Sequence, residues 1–181
     1  MLLDLIRHSD TPCDAVTRVT VEATRAGPAG LALRYVVIGD IGALRLPETA
    51  ARDRRDDLWK HSCFEVFLQD GRGSAYCEYN LSPSGQWAGY RFDAHRQGGT
   101  SPAAMAAPEM AITVSAERLE LQATIALDGL ADLPPDVPWR AGLTAVIEAA
   151  DGRLSYWALA HAPDRADFHH PDTFVCDLEL P

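Results

Sequence analysis

The sequence predicts an all-β protein, an antiparallel β-sandwich of jelly-roll or immunoglobulin-like kind with about ten strands. Three observations point there. Short runs rich in β-branched and aromatic residues, many alternating apolar with polar, recur about every ten residues. Gly, Pro, Asp and Ser separate them, and these are the residues that tight turns require. No stretch carries the 3.6-residue apolar period of an amphipathic helix, beyond a turn or two over Leu127–Leu133 that Pro134-Pro135 would end.

Taken in order, strands are expected at Leu2–Ile6, Val16–Ala23, Leu31–Ile38, His61–Leu68, Ala75–Leu81, Gln86–Phe92, Met110–Val114, Leu119–Ala126, Ala141–Ala149, Leu154–Leu159 and Thr173–Leu178. The Gly-, Ala-, Ser- and Pro-rich stretch Gly98–Pro108 reads as a mobile loop. The 181 residues, 47% of them hydrophobic, read as one domain over residues 1–181. A chain of this length buries roughly 70% of its unfolded surface, enough for a core without disulfides or a structural metal.

Charge narrows the partners. With 26 acidic against 16 basic residues, a net charge of −10 and Lys60 as the only lysine, the chain lacks the basic patch that nucleic acid or an anionic membrane demands. Cys13, Cys63, Cys77 and Cys176 are scattered with no C-x-x-C spacing, so they read as reduced packing residues and not as zinc ligands. Residues Met1–His8 include Asp4 and no basic-then-apolar run, and no apolar stretch reaches membrane-span length. A cytoplasmic protein of bacterial type is expected, with its oligomeric state open.

The informative part is Leu58–Asp93, LWKHSCFEVFLQDGRGSAYCEYNLSPSGQWAGYRFD, three strands joined by short turns at Gln69–Gly73 and Ser82–Gly85. A four-residue Ser82–Gly85 loop would pair Leu81 with Gln86. Asn80 would then oppose Trp87, Glu78 would oppose Gly89, and Tyr76 would oppose Arg91. Matching apolar residues across the first hairpin sets Glu65 beside Glu78. One face would thus carry His61, Glu65, Phe67, Tyr76, Glu78, Asn80, Trp87 and Arg91, with a gap at Gly89. Paired carboxylates repel unless a cation, a shared proton or a ligand compensates, and Arg91 is the expected cation. Trp59, Phe67, Tyr76 and Trp87 beside the acids mark a recognition face.

Leu58–Leu68, Tyr76–Trp87 and the closing Phe168-His-His-Pro-Asp-Thr-Phe174 resemble the DOMON-like sandwich domains related to family 9 carbohydrate-binding modules. The resemblance implies that a carbohydrate end lies between two tryptophans, with acidic, amide and arginine side chains bonding its hydroxyls. Trp59 is similar to the first tryptophan, Glu65 to an acid six residues along that strand, Arg91 to the arginine of a following strand, and Trp157 to the second tryptophan. The modules' acidic calcium-binding loop has no counterpart here, and no metal or resident cofactor is expected.

The favoured expectation is a non-catalytic binder of a small-molecule ligand, a sugar or similar polyol. Haem is the alternative, since other DOMON relatives bind it through Met, His or Lys; Met105, Met110, Lys60, His61, His95, His161, His169 and His170 are the candidates. Met105 beside Pro102 and Pro108 would suit a lid, while adjacent His169 and His170 read as loop residues that cap or hydrogen-bond. A glycoside-processing enzyme built on Glu65 and Glu78 is the third class.

Overall fold

In the computed structural model, which describes residues 2–181, all eleven strands join one antiparallel ladder that folds over on itself. They are β1 (Leu2–Arg7), β2 (Val16–Arg25), β3 (Gly30–Gly39), β4 (Cys63–Gln69), β5 (Tyr76–Leu81), β6 (Trp87–Phe92), β7 (Glu109–Val114), β8 (Arg118–Ala126), β9 (Trp139–Glu148), β10 (Leu154–Ala158) and β11 (Cys176–Leu178). Their order is β6-β5-β4-β9-β10-β1-β2-β3-β8-β7, with β11 on β9. Each strand expected from period-two patterning is present.

The fold-over occurs within β1. Leu2–Leu5 pair with β2, whereas Ile6 and Arg7 pair with Ala158 and Trp157 of β10. One strand therefore closes an edge of both layers, leaving no open rows of N–H and C=O groups there. The first layer is β1-β2-β3-β8-β7; the second is β6-β5-β4-β9-β10 with the end of β1.

Alternation along each strand sends one set of side chains between the layers. Val19 and Val21 of β2, Leu31, Leu33, Tyr35 and Val37 of β3, and Leu119, Leu121 and Ile125 of β8 meet Phe64, Val66 and Leu68 of β4 and Cys77, Tyr79 and Leu81 of β5. Tyr35 links the layers directly: its ring lies 4.9 Å from that of Phe64 and its hydroxyl donates to the Glu65 carbonyl at 2.7 Å. The buried hydroxyl is thereby satisfied.

Two loop expectations change. Leu127–Leu133 forms consecutive turns and no helix, with Leu130 N–H donating to Leu127 O at 3.3 Å and Leu133 N–H to Leu130 O at 3.0 Å. Gly129 at φ +80° interrupts helical winding, and the three leucines all reach the core. Met105 is no lid: it is 6% exposed and packs in the core over Gly89, filling the gap left by the missing side chain. The cysteines are free thiols, Cys63 and Cys77 being buried. Among the described residues, no helix is long and apolar enough to cross a membrane.

Candidate functional site

The second layer is covered on its outer face as well, which is why β4 and β5 are buried almost throughout. Two segments do the covering. In the stretch before β4, Leu58 of a 3₁₀ turn packs with Cys63, Ala88 and Tyr90. In the stretch after β10, Phe168 and Phe174 pack with Phe67, Tyr76, Val146 and Ala158. Between the two lies a cleft of about 570 Å³.

Glu65 and Glu78 are at its floor, 3% and 4% exposed. Trp59, Tyr90, Phe92, Tyr156 and Phe168 form aromatic walls, and Asp56, Asp57 and Arg96 stand at the rim. Ladder pairing sets Glu65 opposite Asn80 and Phe67 opposite Glu78, so the two acids share the face on a diagonal and are not direct partners as expected. Asn80 lies beneath the cleft, fully buried, its amide donating to Glu78 Oε1 at 2.7 Å. Thr144 Oγ1 donates to Glu65 Oε2 at 3.4 Å.

The third strand is shifted by one residue from expectation. Ser82 pairs with Gln86, its N–H donating to Gln86 O at 2.9 Å, so Leu81 faces Trp87 and the loop is the three residues Pro83-Ser84-Gly85. Gly85 at φ +93° allows this tighter turn, and Ser84 Oγ bonds Ser82 Oγ at 2.9 Å inside it. A slip of one residue exchanges the faces. Trp87 goes into the core, stacked on Tyr79 at 6.1 Å, and Arg91 goes to the sandwich rim, where it binds Asp132 and Asp93. Tyr90 and Phe92 take the cleft face in their place, with Tyr90 donating to Asp56 Oδ1 at 2.7 Å.

Strand parity also moves Trp157. Tyr156 pairs with Val146 on the cleft side, while Trp157 pairs with Ala145 and enters the core, its indole N–H donating to Ser155 Oγ at 3.0 Å. His61 lies outside the cleft, exposed, with Nδ1 at 2.7 Å from Glu148 Oε2. Of the predicted residues, then, Trp59, Glu65 and Glu78 line the cleft, Tyr76 and Asn80 support it from beneath, and His61, Trp87, Arg91 and Trp157 are elsewhere.

The cation nearest the acids is Arg96, not Arg91. It sits in the turn after β6, at φ +57°, with Nη2 and Nε donating to Asp167 Oδ1 at 2.7 and 3.2 Å. His95 Nε2 is 2.9 Å from the other oxygen of Asp167. Burial works against the charge of Asp167, but the bonds from Arg96 and His95 outweigh it and hold the carboxyl down at about 2. Asp167→Asn is expected to cost about 1–2 kcal/mol in urea denaturation at pH 7, at the low end because Arg96 and His95 are half in water. An unchanged midpoint would show that the bridge carries no stability.

The floor has the opposite character. Burial pushes Glu65 well above the usual carboxylate range, with the neighbouring Glu78 adding to the shift and Thr144 and Arg96 opposing it. Burial likewise raises Glu78 to about 7 against the Asn80 bond and Arg96. His169 is pushed down to about 4, first by burial and then by Arg96. The Tyr76 hydroxyl accepts from Arg96 N–H at 3.2 Å and lies 2.8 Å from His169 Nδ1. With the imidazole neutral, that hydroxyl donates to Nδ1, which leaves the ring proton on Nε2, 3.8 Å from Glu78 Oε2. The two histidines were expected to hydrogen-bond or cap: His169 bonds Tyr76, and its neighbour His170 caps, accepting from Asp172 N–H at 3.3 Å. Among the haem candidates, Met105 and Met110 are in the core and Lys60 pairs with Asp57 at 2.9 Å. Among the described residues, no group of three or more His, Cys, Asp or Glu is arranged to hold a metal ion.

No protein-family model and no curated protein sequence matches the chain. Solved structures do. A Bacteroides uniformis protein to which carbohydrate binding has been attributed aligns with a TM-score of 0.75 at 14% identity, over 100% of this chain and 86% of that one. A family 9 carbohydrate-binding module from Caldicellulosiruptor kristjanssonii aligns in its cellotriose complex with a TM-score of 0.61 at 9% identity, over 94% of this chain and 83% of that one. In a glucose complex such a module gives 0.57 at 11% identity, over 91% and 76%. The chain has the fold of a family 9 carbohydrate-binding module.

Within this family 9 fold the aromatic walls are built differently from the expected tryptophan pair. Trp59 remains exposed at one side, 47% accessible, and faces tyrosine and phenylalanine across the cleft where a second tryptophan was anticipated. Neither Tyr90 nor Tyr156 was singled out in the sequence, because each alternates with a neighbour that is also large, and parity alone decides which one faces out.

Proposed function

We propose that the cleft is a non-catalytic carbohydrate-binding site. The observation that carries this reading is the pairing of two buried, diagonal carboxylates with aromatic walls in one small cleft. Its volume of about 570 Å³ is in the range of small-molecule sites. Apolar C–H faces of a sugar ring would lie against Trp59 and Tyr156, while hydroxyls would donate to Glu65 and Glu78, giving each desolvated polar group a partner. Support also comes from the neighbours, described as bound to glucose and to cellotriose.

Catalysis is disfavoured by geometry. A glycosidase places its two carboxyl groups on either side of the scissile bond. Glu65 and Glu78 lie side by side on one sheet face and approach a ligand from the same direction. The four free cysteines suit a reducing compartment, so we place the protein in the cytoplasm.

A thermal-shift and calorimetric panel of glucose, galactose, mannose, cellobiose and cellotriose tests the reading. A sugar at 100 times its dissociation constant adds about 2.7 kcal/mol. At this chain length that raises the melting temperature by roughly 5–11 °C. No shift and no heat from any of the five at millimolar concentration would sink the proposal.

A further inference from the structure

We infer that the ligand of this cleft carries a protonated amine, and that the site selects an amino sugar or amino polyol over its neutral parent. This rests on the carbohydrate reading of the same cleft and narrows it to a ligand class.

Charge balance in the cleft is the first observation. Asp56, Asp57, Glu65 and Glu78 line it; Arg54 pairs with Asp56 at 3.4 Å, and Arg96 is the one arginine in the lining itself. That cation is already engaged, Nε and Nη2 both donating to Asp167 Oδ1. Lys60 does not line the cleft and is spent on Asp57. His169, the remaining basic side chain in the lining, is neutral and takes its hydrogen bond from Tyr76.

Glu65 supplies the second, independent observation. It is 97% removed from solvent, being 3% exposed, yet among the described residues its carboxylate receives one hydrogen bond, from Thr144 to Oε2. No Lys, Arg or His nitrogen among the described residues comes within ion-pair distance of it. Among the described residues Oε1 has no protein donor, and Glu65 lines the cleft. A buried carboxylate in this situation leaves room for an incoming donor, and Glu78 beside it has only the Asn80 amide and the distant His169 ring. A neutral hydroxyl would satisfy the lone pairs without favouring ionisation of two adjacent carboxyls whose protons burial retains. An ammonium group does both.

The walls fit the same ligand. Trp59, Tyr90, Phe92, Tyr156 and Phe168 present ring faces and edges around the acids, and a cation beside aromatic faces gains from their quadrupoles once water is excluded. The amine would lie between Glu65 and Glu78 with the ring carbons against Trp59 and Tyr156.

The test is calorimetric titration at pH 7 with glucosamine, galactosamine, mannosamine and 6-amino-6-deoxyglucose, each beside the neutral parent with hydroxyl in place of amine. The expected result is that at least one amine binds tenfold or more tighter than its parent. Glu65→Gln and Glu78→Gln, which keep size but remove the charge, should bring the amine's affinity down to that of its neutral parent measured on the same variant, and leave the folded spectrum unchanged. Parents that bind as tightly as the amines overturn this inference and leave the carbohydrate reading standing. So does a preference that survives in both glutamine variants. If neither parents nor amines bind, the carbohydrate reading itself has failed and takes this inference with it.

Discussion

Trp157→Ala is expected to destabilise the protein by about 3–5 kcal/mol, whereas Trp59→Ala should leave stability within about 0.5 kcal/mol and weaken sugar binding roughly thirtyfold or more. The two indoles are in opposite situations. Trp157 is 6% exposed in the core between the layers with its N–H bonded to Ser155, so truncation leaves a cavity and removes a buried hydrogen bond. Trp59 is 47% exposed on a 3₁₀ turn at the cleft mouth, where its removal opens no void. Loss of a stacking anchor of this kind costs about 2 kcal/mol or more in binding, roughly thirtyfold in the dissociation constant. Urea denaturation and calorimetry on both variants decide it. Equal stability losses would mean that Trp59 is structural, and unchanged binding in Trp59→Ala would remove it from the site.

Glu78→Gln should be close to neutral at pH 5 and stabilising by about 3 kcal/mol at pH 8, roughly 6–12 °C in melting temperature. Burial lifts Glu78 from 4.5 to about 7 in the folded state. A carboxyl raised in this way gives stability that is complete below pH 4.5 and is lost as pH climbs through about 7. His169, pushed by burial from 6.5 to about 4, acts in the other direction: its contribution is present above pH 6.5 and is lost as pH falls through about 4. In the parent protein these slopes oppose each other over the same window. Removing the titration of Glu78 leaves His169 opposed by Glu65 alone, which burial also raises, so the variant should lose less stability than the parent as pH rises from 5 to 8. Asp167 does not confuse the reading, because its contribution is lost only below about pH 4. A variant whose advantage is the same at pH 5 and pH 8 would show that Glu78 ionises normally.

Strands such as β8 were legible because a single set of side chains at period two is buried, Leu119, Leu121, Ala123 and Ile125 inside and Gln122, Thr124 and Ala126 exposed. The acids were legible for a related reason: charged residues inside such apolar strands have few places to go. What could not be read was parity at two points. Ser-Pro-Ser-Gly accommodates a four-residue loop or a three-residue loop closed by a left-handed glycine, and that choice alone moved Trp87 and Arg91 from the cleft to the other face. At Ser155-Tyr-Trp-Ala158 two adjacent aromatics fit either face equally well, and pairing to Val146 and Ala145 decided between them. Arg96 was illegible for a third reason. Its position depends on Asp167, 71 residues away, and nothing local to His95-Arg96-Gln97 announces that bridge.

The strand that belongs to both layers also sets an order of events during synthesis. Residues Leu2–Leu5 can pair with β2 as soon as the first forty residues exist, since β1, β2 and β3 follow one another in a meander. Ile6 and Arg7 must wait for Trp157 and Ala158, and the second layer cannot seal until β9 has been inserted between β4 and β10. Pairings between such distant residues fold slowly, on the millisecond-to-second scale typical of β-sandwiches. Phe168, His169 and Phe174, which roof the cleft, lie later still. A ligand that needs that roof meets a binding-competent molecule only after nearly the entire chain has left the ribosome.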